Sequence, residues 1–165
     1  MSRVTRSRPP LGMIELKVQS VALDVNAQPV VMLTDRTGKR SLPISIGPAE
    51  AVAISLALEG QSLPRPMTHD LLCSLLTEVG VKVERVIICD MREMTYYARL
   101  VIRSGGETRE IDCRPSDGIA IALRVKVPVM IGEELLTRIE AEHRIHESRG
   151  GRGIFVVDPG EGTIH

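Results

Sequence analysis

The chain uses one local pattern twice. Gly47-Pro48-Ala49-Glu50-Ala51-Val52-Ala53-Ile54 aligns without a gap on Arg114-Pro115-Ser116-Asp117-Gly118-Ile119-Ala120-Ile121. Proline suits the first position of a helix, where its missing N–H would have had no partner, and a carboxylate in the first turn faces the positive end of the helix dipole. Each segment follows three stretches rich in β-branched residues, and VQSVALD at the head of the first set resembles VERVIICD at the head of the second. The pattern therefore predicts two β-β-β-α units related by internal duplication. The expected fold class is α+β, a tandem repeat with a mixed or antiparallel sheet, helices packed on it and a pseudo-twofold relation between halves. Both repeat helices are apolar and alanine-rich, which predicts that they are buried and closely packed.

Strands are expected over Met13–Asp24, Val30–Asp35 and Arg40–Ile46, followed by a helix from Pro48 to about Glu59 that stops at Gly60. The connector Leu63–Pro66 leads to a helix over His69–Val79, with Thr68 as N-cap and Gly80 as its end. Leu71, Leu72, Leu75, Leu76 and Val79 share its apolar face, leaving His69, Asp70, Ser74, Thr77 and Glu78 outward. The second unit reads as strands over Val81–Asp90, Thr95–Ser104 and Thr108–Arg114, with Gly105-Gly106 as a two-residue hairpin turn. That turn sets Arg99 directly opposite Asp112, with Glu110 diagonal to Arg99 and Arg103, and cross-strand ion pairs explain the pattern without a ligand. A helix from Pro115 to about Lys126, a strand over Pro128–Ile131 and a short helix over Gly132–Ile139 complete the reading. Residues 1–12 are expected to be a disordered basic N-terminus, 13–139 the folded domain and 140–165 a mobile tail.

At 165 residues one domain is the natural size. Lys+Arg and Asp+Glu balance at 21 each, so no global field recruits nucleic acid or an anionic membrane. Arginine supplies 17 of those 21 bases, and its planar fork matches carboxylate and phosphate. Cys73, Cys89 and Cys113 form an odd set without a C-x-x-C, which indicates neither a disulfide frame nor a zinc site. No apolar run reaches membrane-spanning length and no apolar stretch follows the basic start. A soluble, reduced, cytoplasmic protein is expected, with no membrane partner.

Four segments together resemble the bifunctional nuclease family: LPISIGPAEAVAISLALEG, PRPMTHDLL, the strand YYARLVI and DCRPSDGIAIALRVKVPVMI. The resemblance runs from about Ile14 to Leu136; the tail after Glu140 lies outside it. It implies an α+β domain, usually dimeric, with nuclease activity on DNA and RNA. Nucleic acid and a second copy of the chain are the partners it implies.

For the chemistry, phosphodiester hydrolysis calls for carboxylates, often with histidine, and a cation against the developing charge; a divalent cation, Mg²⁺ or Mn²⁺, is the expected cofactor. The candidate catalytic residues are His69 and Asp70 at a helix start, with Glu50 and Asp117 from the equivalent mouths of the two repeat helices. Arg65, Arg114 and Ser116 are the candidate substrate-binding groups, Arg114 because it stands at a helix mouth where phosphate binds well. A cleft built this way places Glu50 or Asp117 within about 8 Å of the His69 ring, the span of a bridging metal and water. The same residues have a purely structural reading: Glu50 and Asp117 as dipole partners of their own helices, and Thr68-His69-Asp70 as a cap. No H-E-x-x-H or P-D…(D/E)-x-K motif is present, and His143 and His146 fall in the expected tail. Tyr96, Tyr97 and Phe155 are the only aromatics, a poor stacking surface for single strands, and RGGRG near Arg149 is a weak nucleic-acid signal. The alternative function is a non-catalytic homodimeric module that binds a small anion or a protein partner.

Overall fold

The structure, a computed structural model, describes residues 11–149. Eleven elements follow in the order β1 (Met13–Leu23), β2 (Pro29–Asp35), β3 (Ser41–Ser45), α1 (Pro48–Leu58), α2 (Thr68–Glu78), β4 (Lys82–Arg92), β5 (Thr95–Ser104), β6 (Glu107–Cys113), α3 (Pro115–Val125), β7 (Val129–Gly132) and α4 (Glu133–Ser148). The seven strands form one mixed sheet in the order β3-β2-β1-β7-β4-β5-β6. All neighbours are antiparallel except β4 and β7. The short β7 thus sits between two three-stranded meanders, and its Val129, Met130 and Ile131 are buried. A central strand covered on both faces needs this continuous run of β-branched and apolar side chains.

Pro48 and Pro115 each open a helix at the end of a meander, as the repeated pattern predicts. The two helices are not equally buried. In α3 seven residues from Pro115 to Ala122 are buried, whereas α1 buries only Ala53 and Ile54 and leaves Val52 half exposed. The α1 expectation is corrected by its position: it lies against α3, β1 and β2 over the outer meander, so only one side of it meets the core. Helix α3 lies against β4 and β5, and Gly118 brings it there closely. A Cβ on Gly118 would stand 2.8 Å from Val86 Cγ1.

The β5–β6 hairpin turns on Gly105 and Gly106, both at positive φ, and Arg99 lies opposite Asp112 as the turn dictates. Arg99 Nη1 binds Glu110 Oε2 at 2.6 Å, while Arg103 turns to Glu84 on β4 rather than to Glu110.

Helix α2 reverses the expected faces. Its N-cap is Met67 instead of Thr68, and the Asp70 carboxylate reaches back to the Met67 N–H at 2.9 Å. His69 is buried, Cys73 and Leu76 are half-buried, and Leu71, Leu72, Leu75 and Val79 are exposed. Leu71, Leu72 and Leu75 therefore line the outside, because the polar residues of the first turn are drawn inward by partners on α3. The last helix also differs: it runs past Ile139 to Ser148, so residues 140–148 are helix rather than tail. Leu136 and Ile139 bury its first half, and Glu140 accepts two hydrogen bonds from Arg40 at 2.9 Å. Residues 1–10 and residues 150–165 of the expected tail lie outside the described residues.

Because α3 meets Val86 so closely, Gly118→Ala overpacks the helix–sheet contact. The expected loss is about 1–3 kcal/mol of unfolding free energy, read from urea denaturation.

Candidate functional site

Two helix mouths and the start of a third helix meet at one place. Asp117, in the first turn of α3, is the hub. His69 Nε2 lies 2.9 Å from Asp117 Oδ1, and Arg114 Nε donates to Asp117 Oδ2 at 2.8 Å. Arg114 Nη2 then bridges to Glu50 Oε1 on α1 at 2.7 Å. The structure thus brings together Glu50, His69, Arg114 and Asp117, with one carboxylate in direct contact with the imidazole.

Each side chain is where local structure puts it. Glu50 and Asp117 occupy matching positions after Pro48 and Pro115, so the side-by-side packing of α1 and α3 brings both carboxylates within reach of one guanidinium. Gly47 helps: a Cβ there would collide with Glu50 Oε2, so the carboxylate folds back over the helix mouth only because that side chain is missing. His69 is carried in by α2 and is 8% exposed. Burial on its own would push the Asp117 carboxyl up, but hydrogen bonds from Arg114 and His69 outweigh it and hold the group below its ordinary value.

Arg114 keeps a free edge. Its Nε and Nη2 serve the two carboxylates, and Nη1 has no acceptor among the described residues. The side chain is 65% exposed, so a guanidinium fixed by two carboxylates presents unused N–H groups to solvent. This is a preorganised donor for an oxyanion.

Asp70 stands apart from the cluster. One oxygen caps α2 through Met67 N–H and the other accepts from Arg124 Nε at 2.7 Å, so both are used in holding the helix. These hydrogen bonds, the Met67 amide first, lower its carboxyl. Arg65 is exposed on the connector and takes no part in the cluster's hydrogen bonds. Ser116 is buried beside the cluster and faces a cavity instead. Arg124, deep on α3, escaped the sequence reading because it carried no motif, and His143, on the extended α4, was set aside with His146 as an H-x-x-H in the expected tail; only the run of alternating charge and Ile after Glu140 could have hinted that α4 continues.

The donor types suit a divalent cation but their arrangement does not. Among the described residues no three His, Cys, Asp or Glu side chains are grouped to hold a metal ion, and the Arg114 guanidinium fills the gap between Glu50 and Asp117. A cation and Arg114 would compete for the same two carboxylates.

A family model described as bifunctional nuclease domain matches residues 31–144. The chain belongs to the bifunctional nuclease domain family. An uncharacterized protein of Mycobacterium tuberculosis is 43% identical over 111 residues, which is 67% of this chain and 66% of that protein. A protein of Oryza sativa subsp. indica named bifunctional nuclease 1 is 32% identical over 97 residues, 57% of this chain and 29% of its own length. One of the same name from Arabidopsis thaliana is 28% identical over 109 residues, covering 64% of this chain and 33% of that protein. The matched segment is thus just under two thirds of the mycobacterial relative and about a third of the plant ones. The family match includes Glu50, His69, Arg114 and Asp117, and it reaches into α4 as far as residue 144. No helix among the described residues is long and apolar enough to cross a membrane.

Asp70 also sets an acid limit to stability. Its folded carboxyl lies below the unfolded value of 3.8, so its contribution is present above that value and is lost as pH falls through the lower, folded one. Asp70→Asn should therefore flatten the loss of stability below about pH 4 in urea titrations carried down to about pH 2, relative to the parent.

Proposed function

We propose that the chain hydrolyses phosphodiester bonds of DNA and RNA at the Glu50–His69–Arg114–Asp117 cluster. The observation that carries this reading is the contact of His69 with Asp117 beside an arginine whose Nη1 is unused. With Nε2–H donating to Asp117, the imidazole keeps its electron pair on Nδ1 and can act as a base. A water gives its proton to that nitrogen while its oxygen attacks phosphorus. The bond from phosphorus to the leaving sugar oxygen breaks, and that oxygen takes a proton from solvent. Arg114 holds a nonbridging phosphate oxygen through Nη1 and meets the charge that grows on it. Asp117 fixes the tautomer of His69, and Glu50 fixes the guanidinium. Names of the plant relatives support the substrate class, and the family membership supports nucleic acid as partner.

A homodimer in the cytoplasm completes the reading. The exposed leucine stripe of α2 and the half-exposed Val52 and Leu63 nearby in sequence supply an apolar surface of the kind that a second copy would cover. Three free cysteines suit a reducing compartment. The alternative, a binding module without catalysis, would use Arg114 for an anion and leave His69 idle.

Purified protein should nick supercoiled plasmid and degrade single-stranded RNA. His69→Ala and Asp117→Asn should each lower the rate by about 10²- to 10⁴-fold while the melting profile stays cooperative. Rates equal to the parent in both variants would leave the binding module as the better reading. Parallel reactions with EDTA, Mg²⁺ and Mn²⁺ assign the part of a divalent cation. For assembly, Leu75→Glu should convert the dimer to monomer in multi-angle light scattering; a parent that is monomeric at micromolar concentration would sink the dimer.

A further inference from the structure

We propose that the cavity between the β4–β5 turn and the mouths of α1 and α3 is a mononucleotide subsite, with the phosphate at Arg114 and Ser116 and the base against Ile46 and Tyr96. For the identity of its ligand this rests on the nuclease reading.

The cavity has a volume of about 550 Å³, within the range of small-molecule sites. Ser45, Met94, Tyr96, Arg114, Ser116 and His143 contribute to its wall from four different elements, the β4–β5 turn and the N-cap of α3. Arg114 belongs both to this wall and to the acid–imidazole cluster, so a phosphate on its free edge lies at the boundary of the two.

Ser116 is the first sign that a ligand belongs here. The residue is 7% exposed, and no hydrogen bond reaches its hydroxyl among the described residues. No sealed side-chain N or O among those residues lacks a partner, so this hydroxyl opens onto the cavity it lines. Its hydrogen-bond partner therefore comes from the cavity, as water or as a ligand that replaces it. Around it the amides of Ser116 and Asp117 occupy the first turn of α3, where backbone N–H groups have no intrahelical acceptor. Gly47, at the mouth of α1, lines the same cavity, so the starts of two helices meet a guanidinium there, and the Glu50 and Asp117 carboxylates take only one edge of it.

The interior is of another kind. Tyr96 Oη and His143 Nε2 are 3.0 Å apart, and burial raises the phenol and lowers the imidazole. Both are uncharged at neutral pH, and Asp24, also on the wall, gives one carboxylate oxygen to the amides of Asn26 and Gln28. Ile44, Ile46 and Pro115 add apolar surface. A charged mouth and a partly apolar interior with hydrogen-bonding tips match a phosphate joined to a heterocycle better than a free anion. The turn over the rim is strained as well. Glu93 and Met94 have φ of 48° and 61°, a left-handed conformation that two-residue hairpin turns ordinarily give to Asn and Gly. Strain of this type gathers at ligand sites.

The test is calorimetric titration of the full chain with adenosine and cytidine monophosphates, the matching nucleosides and inorganic phosphate. At least one monophosphate should bind about tenfold or more tighter than either phosphate or its nucleoside, and Ser116→Ala should weaken it by about tenfold. Ser45→Trp, which fills the rim from an exposed position, should abolish binding while thermal unfolding is unchanged. Binding should persist in His69→Ala. Phosphate binding as tightly as every monophosphate would overturn the base pocket, and full binding by Ser45→Trp would overturn the location. Nuclease activity lost in His69→Ala, in a protein that binds no mononucleotide, removes the subsite and keeps the enzyme. Mononucleotide binding in a protein without nuclease activity keeps the subsite and removes the enzyme.

Discussion

One largely buried guanidinium ties the three helices together. Arg124, with only 12% of its side chain exposed, donates to the carbonyl of Ala53 on α1 and of Ala120 on α3, and to the Asp70 carboxylate on α2. An arginine taken this far out of water needs its donors satisfied, and three of its bonds go to three different helices. Removing such a partner costs more than the pair contributes, because the remaining charge is left desolvated. The arrangement therefore sets position more than it sets net stability. With Asp70 held by Arg124, the first turn of α2 faces α3, and His69, one residue earlier, is brought against Asp117.

The same constraint explains the face that α2 shows to solvent. Residues 69, 73 and 76 point inward, so the stripe through Leu71, Leu75 and Val79 must point away. The helix is amphipathic and turns its more apolar side outward. Polar contacts of high directionality won over non-directional burial, and the apolar surface left exposed is the reason for assigning it to a second copy. The helix that delivers the imidazole would then also be the helix that meets the neighbour, so assembly and site geometry share one element.

What could be read from the chain follows from how local each signal is. Proline at the first helical position, the Gly105-Gly106 turn and the register that sets Arg99 opposite Asp112 depend on a few adjacent residues, and all stand in the structure. So does the convergence of Glu50 and Asp117, since matching offsets on two neighbouring helices leave little choice. Periodicity gives α2 an apolar face but does not say what covers it; Arg124, 54 residues further on, decides that. The length of α4 was equally out of reach. Its second half is polar, and it is tied down by distant partners, Arg40 to Glu140 and Tyr96 to His143.

The two aligned helix mouths differ at the residue just before the proline, and there the pattern becomes a site. Gly47 and Arg114 hold the same place in the two aligned segments. Gly47 adopts an ordinary φ of −76°, so the glycine is not serving the backbone; it clears space for the Glu50 carboxylate. Arg114 does the opposite and fills the space between Glu50 and Asp117 with charge. Two arginines at these positions would crowd one gap, and two glycines would leave two carboxylates facing each other without a cation. One of each gives a guanidinium gripped along one edge and open along the other. The open edge exists because the two mouths are unlike, so the candidate chemistry depends on where the two aligned segments differ.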